Sequence, residues 1–180
     1  FSDAIEQAAG SDPALATSTP FAGAAAGAPQ KLATSAAVIT LDFATPQKDS
    51  VVFAGQVPLP ANLDGLQVIV DIGGVIRAFT LDANGEALLG DEAAYVLTSA
   101  TVPSLPAGTA QVTVELMNGS FQQAYQAAGL TSEPVTNVTR SINSSLYFNN
   151  VYYASTLIGS YTAATGGPGT AVLSELPASV

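Results

Sequence analysis

Apolar and polar residues alternate in short runs from Ala37 onward, and Gly, Pro and Asn break the runs at short intervals. A period of two with frequent turn residues is the pattern of an all-β chain. Ala37–Phe43 and Ser50–Val57 predict two strands, the second closed by Pro58 and Pro60. Leu66–Ile72 and Val75–Leu81 flank Gly73-Gly74, a two-residue loop suited to the primed turns that match strand twist. That turn pairs Ile72 with Val75, Val70 with Arg77, Val68 with Phe79 and Leu66 with Leu81. Arg77 is then the one polar side chain on an apolar face, and it needs an acid, either at the sheet rim or from a neighbouring chain through Asp3 or Glu6. A second turn at Asn84-Gly85 is expected to bring Leu88 against Leu81 in a three-stranded meander.

Tyr95–Val102 and Thr109–Leu116 predict further strands, the latter with Ala110, Val112, Val114 and Leu116 on one side. Ser120 and Gln123 match an S-x-x-Q capping box, Phe121, Ala124, Tyr125 and Ala128 form a helical apolar stripe, and Gly129 supplies the stop. Ser144–Phe148 and Val151–Tyr161 read as a hairpin around Asn149-Asn150, and Ala171–Leu173 as a last strand. This pattern predicts a β-sandwich, jelly-roll-like or immunoglobulin-like, with one short helix.

Residues 1–36 break the pattern. Twelve of them are Ala, with Pro13, Pro20 and Pro29 between, and beyond a possible short helix over Asp3–Ala9 they show neither helical nor strand period. Such a segment buries little area per residue and cannot easily offset its own ordering entropy. It is read as an extended arm (1–36) before a β-sandwich domain (37–180), ordered only against something else.

Composition removes most chemistry. The 180 residues contain no Cys and no His, which excludes disulfides, thiolate nucleophiles, the Ser-His-Asp triad and the usual zinc sites. A net charge of -10 opposes binding to nucleic acid, no apolar run is long enough for a membrane span, and no cofactor or metal is expected. Asp82-Ala83-Asn84-Gly85-Glu86 has the look of a calcium loop but lacks its further ligands, so it is read as a hairpin turn. Asp91-Glu92 and Asp42 with Asp49 are available as carboxylate pairs, and are read as solvated loop acids. The chain opens Phe1-Ser2-Asp3, without Met or a basic leader, and is read as processed or as the visible part of a longer one.

The run Val68–Gly85, the helix Phe121–Gly129 and the Phe148-Asn149-Asn150 hairpin together resemble an uncharacterised secreted β-domain. That domain recurs, often in tandem, in exported and cell-surface proteins of environmental bacteria. The resemblance covers roughly Asp49–Thr170 and implies an extracellular, modular, non-enzymatic β-domain with no known activity. This chain is poorer in Lys than such domains.

Three clusters remain as candidate sites. Tyr147, Tyr152 and Tyr153, with Phe148, concentrate aromatic surface, read as core or subunit interface, with a sugar- or partner-stacking platform as the alternative. Asn118, Asn137 and Asn143 stand in N-x-[ST] sequons, and covalent glycans there would hydrate a poorly charged surface. Leu32–Phe43, with Leu32, Val38, Ile39, Leu41 and Phe43 as its apolar positions, is the candidate donor segment for a neighbouring copy. Together these features predict a non-enzymatic, secreted or cell-surface structural subunit. It would assemble with itself head to tail through its N-terminal arm, into a filament or surface layer. The alternative is a carbohydrate-binding or adhesive module of a surface protein.

Overall fold

The structure is a computed structural model that describes residues 3–12, 14 and 29–175. It begins with α1 (Asp3–Ala8), β1 (Gln30–Lys31), β2 (Ala33–Asp42) and β3 (Asp49–Pro58). Next come β4 (Gln67–Ile72), β5 (Val75–Thr80), β6 (Glu86–Leu89), β7 (Glu92–Thr98) and β8 (Thr109–Gly119). Helix α2 (Gln122–Tyr125) runs into a 3-10 turn over Gln126–Ala128, and β9 (Val135–Phe148), β10 (Val151–Ala163) and β11 (Pro168–Glu175) complete the chain. The strands form one sheet in the order β5-β4-β9-β10-β11-β2-β3-β8-β7-β6, antiparallel throughout, with β1 added parallel to β10.

Alternation decides which side of the sheet is core. On β8, Ala110, Val112, Val114 and Leu116 are buried, as expected, and so are Val51, Phe53 and Val57 on β3 and Ala171 and Leu173 on β11. These side chains join those of β4, β5, β9 and β10 in one apolar cluster. A single sheet encloses a single core only by rolling up, and here the end strand β5 meets β7, the strand next to the other end: Arg77 on β5 reaches Glu92 on β7 at 2.7 Å. The all-β, sandwich-like fold expected from the sequence is therefore built as one rolled sheet.

The β4–β5 hairpin has the expected register, Ile72 to Val75, Val70 to Arg77 and Val68 to Phe79. Gly73 (φ 62°) and Gly74 (φ 96°) hold the left-handed turn that only glycine enters cheaply. The meander beyond it does not form. Of Asn84 and Gly85 only Gly85 has positive φ, Asp82 and Glu86 close the loop by backbone bonds, and β6 leaves β5 to pair with β7. Leu88 is consequently 73% exposed instead of lying on Leu81.

The capping box is also absent. Phe121 is the helix N-cap, without a side-chain cap, and its N–H donates to Asp49 Oδ2 at 2.6 Å. Gly129 ends the 3-10 turn in the left-handed conformation, as expected. The sheet takes in the chain from Gln30, so residues 30–36, expected in the arm, lie within the domain. Helix α1, at the start of the expected arm, buries Ile5 against the outside of the β4–β5 hairpin.

Candidate functional site

The segment expected to be donated is a central strand of its own domain. β2 lies between β11 and β3, pairing Val38 with Val172 on one side and with Val52 on the other. Leu32, Ile39 and Leu41 fill the core, Phe43 is half-buried, and Val38 faces outward at 42% exposure. Leu32–Phe43, the candidate donor segment, is thus paired on both sides within its own chain. Removing it would leave two long strands with unpaired edges and open the core between them.

The way this strand enters the sheet is specific. Among the described residues β11 extends to Glu175, opposite Leu157, and β10 continues towards its start beyond that pair. β1 pairs with that part of β10: Gln30 lies opposite Tyr153, Lys31 opposite Ala154, and the Leu32 N–H donates to the Ala154 carbonyl at 3.1 Å. Ser35 Oγ meets Ser155 Oγ at 2.8 Å, and Ser155 Oγ meets Ser144 Oγ at the same distance, which ties β2, β10 and β9 together where the backbone ladder is broken. Lys31 pairs with Glu175, the last residue of β11. Leu32 is fully buried against Gly55 of β3, where an added Cβ would lie 2.9 Å from Leu32 Cδ2. Glycine at 55 is what makes the socket.

The tyrosine cluster divides between the two faces of the sheet. Tyr147 does stand opposite Tyr152, but Tyr153 is turned into the core, where burial raises its phenol pKa. Tyr147 is buried, and its hydroxyl donates to Asn150 Oδ1 at 2.8 Å across the Asn149-Asn150 turn. The three tyrosines therefore present no common platform. Beside Tyr152 a groove of about 350 Å³ is lined by Asp71, Asn143, Ser145 and Thr156. Burial raises the pKa of Asp71, an effect partly offset by the Gly74 N–H donated at 2.7 Å. An acid whose folded-state pKa is raised favours the fold while protonated and loses that contribution as pH rises through the folded pKa. Asp71→Asn is therefore expected to raise the melting temperature at pH 7, and the gain should vanish below the ordinary carboxylate range; thermal melts across pH check this.

All three sequon asparagines are exposed, but on or at the ends of strands rather than on free loops. Asn143 on β9 accepts a bond from Thr156 Oγ1 at 3.0 Å, and the Asn137 (φ 51°) backbone N–H donates to Thr162 Oγ1 at 3.0 Å. The Asn118 amide is engaged at both ends, donating to Asp91 Oδ2 at 3.0 Å and accepting from Lys48 Nζ at 3.2 Å.

The acids resolve into structural roles. Asp49 is completely buried, not a solvated loop acid, and accepts from the Asp42 and Phe121 N–H groups at 2.8 and 2.6 Å and from Gln122 Nε2 at 3.3 Å. Glu92 takes both bonds of the Arg77 Nε, so the partner of Arg77 lies in its own chain, not at Asp3 or Glu6 of another. The Arg77 guanidinium also lies 5.6 Å from the Phe121 ring centre, closing the seam between the sheet ends. Asp82 Oδ1 accepts the Asn84 and Glu86 N–H groups, which holds its pKa low and uses the oxygen that a cation would need. Among the described residues no group of three His, Cys, Asp or Glu is placed to hold a metal ion, and no helix is long and apolar enough to cross a membrane.

Tyr125 is fully buried beneath Gly73, and its hydroxyl has no hydrogen-bond partner among the described residues. A buried polar group left unpaired costs about 1–3 kcal/mol. Tyr125→Phe is expected to stabilise the domain by ~1 kcal/mol, measured by urea denaturation.

Comparison with protein-family models, with curated proteins and with solved structures finds no match for this chain.

Proposed function

We propose that this chain is a structural subunit of an extracellular filament or surface layer, joined head to tail by exchange of its N-terminal strand. The observation that carries the reading is the position of β1–β2, first in the sheet by sequence yet central in it by pairing. A strand so placed can be supplied by another copy with every hydrogen bond and core contact reproduced, because the donated and the resident strand are identical. The turn over residues 43–48 is the only covalent tie from β2 to β3, and its opening hands residues up to Asp42 to the next subunit. Each subunit then receives one strand and gives one, which makes a heterologous contact that propagates.

The surface around β2 suits close neighbours of like charge. Across the outer side of β11, β2 and β3, Val172, Val38 and Val52 stand in one row, flanked by Ser174, Ala36 and Ala54 in the next. A chain of charge -10 approaches its own copies most easily through a face with little of that charge, and here Glu115 of β8, opposite Val52, is the acid that borders the valine row.

The test uses the absence of native cysteine. Val38→Cys with Val52→Cys places two thiols opposite each other on neighbouring strands, within disulfide reach. In exchanged polymers the oxidised bond links different chains, and a denaturing gel without reductant should show a ladder, alongside fibres in negative stain. A single monomer band with isolated particles would sink the proposal.

A further inference from the structure

We infer that the groove beneath the β2–β3 turn and helix α2 is a binding site for an uncharged saccharide, a property separate from assembly. Two adjoining hollows of about 390 and 240 Å³ meet at Phe43, Gln122 and Gln123. The first also takes in Gln47 and Ser120, and the second Gln126. Grooves of a few hundred cubic ångströms suit small ligands or a few units of a chain.

The lining selects the class of ligand. Four side-chain amides surround a half-buried phenyl ring, and those of Gln47, Gln123 and Gln126 each carry a donor and an acceptor at a fixed spacing, as pairs of neighbouring sugar hydroxyls require. Neither Lys nor Arg lines it, so nothing there attracts phosphate, sulfate or a uronic acid. Asp42, the one carboxylate, has Oδ1 taken by the N–H groups of Ala44 and Thr45 at 2.9 Å, so it acts as a turn cap and leaves the amides as the recognition groups.

One of the four amides is held in place before any ligand arrives. Gln122 Nε2 donates to the Asp42 carbonyl at 2.8 Å and to buried Asp49, which leaves its amide oxygen as an acceptor towards the groove. Gln123 and Gln126 stand three residues apart and share one side of the helical turn. Gln47 has φ 57°, a left-handed conformation that non-glycine residues adopt at a cost and that recurs at binding sites. Gln122, fixed in advance, loses less entropy on binding than a free side chain.

The experiment is titration calorimetry of the full chain with neutral hexasaccharides of β-1,4-linked glucose, N-acetylglucosamine and mannose. At least one should bind, and Phe43→Ala should weaken it at least tenfold. Gln123→Glu, an exposed change that adds charge without touching the core, should do the same while leaving the melting temperature unaltered. Gln67→Ala on β4, away from the groove, should bind as the unaltered chain does. No heat of binding for any of the three sugars at millimolar concentration would overturn the inference. So would binding that survives both Phe43→Ala and Gln123→Glu. Cross-linking in the Val38→Cys, Val52→Cys chain reads assembly alone and is independent of these outcomes.

Discussion

A chain lacking residues 1–42 is expected not to fold by itself, and to fold when a peptide of residues 29–43 is added in trans. Leu32, Ile39 and Leu41 are fully buried, and each such side chain is worth about 1.5–3 kcal/mol. Their joint loss, about 5–9 kcal/mol, is comparable with the whole stability of an ordinary domain, about 5–15 kcal/mol. The loss of backbone pairing acts in the same direction, since β11 and β3 both give up a neighbour. Near-ultraviolet circular dichroism of the truncated chain should be featureless, and added peptide should restore the native spectrum at one equivalent. A peptide with Leu32→Asp should restore far less, because the carboxylate would be forced into the Gly55 socket. A truncated chain that melts cooperatively without peptide would show that β2 is dispensable, and strand exchange would then have no driving force.

Asp49→Ala is the single substitution expected to cost most. Its carboxylate receives two backbone N–H groups, from Asp42 and Phe121, and one side-chain amide, from Gln122. Alanine leaves the two backbone donors buried without an acceptor, at about 1–3 kcal/mol each. The expected loss is roughly 3–5 kcal/mol, which for a domain of this size lowers the melting temperature by about 6–20 °C. Asp49→Asn keeps one acceptor oxygen and should recover part of the loss. The damage should extend beyond stability, since Phe121 carries the ring under Arg77 and Gln122 lines the amide groove. Differential scanning calorimetry of both variants measures the cost, and equal melting temperatures for Asp49→Ala and the unaltered chain would refute the role.

Local pattern made much of this legible. The Gly73-Gly74 and Asn149-Asn150 hairpins and the alternation of β8 depend on neighbours in sequence, and each formed in the register expected. Long-range pairing was not legible in the same way. Nothing in Ala37–Phe43 distinguishes a strand that fills its own sheet from one that fills another's, because both bury the same side chains. The first half of β9, residues 135–141, carries no clear strand signal, because Asn137 and Arg140 interrupt its alternation. Asp49 gave no sign of burial, since its donors come from residues 7 and 72 positions away. Gly55 could have drawn attention, as a glycine within a strand often marks a close approach. The tyrosines of residues 147–153 looked like one surface only because sequence proximity conceals that Tyr152 and Tyr153 point to opposite faces.

The position of β2 between two long partners also governs time. If copies are interleaved through it, one subunit leaves the chain of copies only by stripping both flanking ladders at once, an event equivalent to unfolding. The lifetime of such a fibre is then set by an activation barrier, not by an affinity, and dilution alone would not disassemble it.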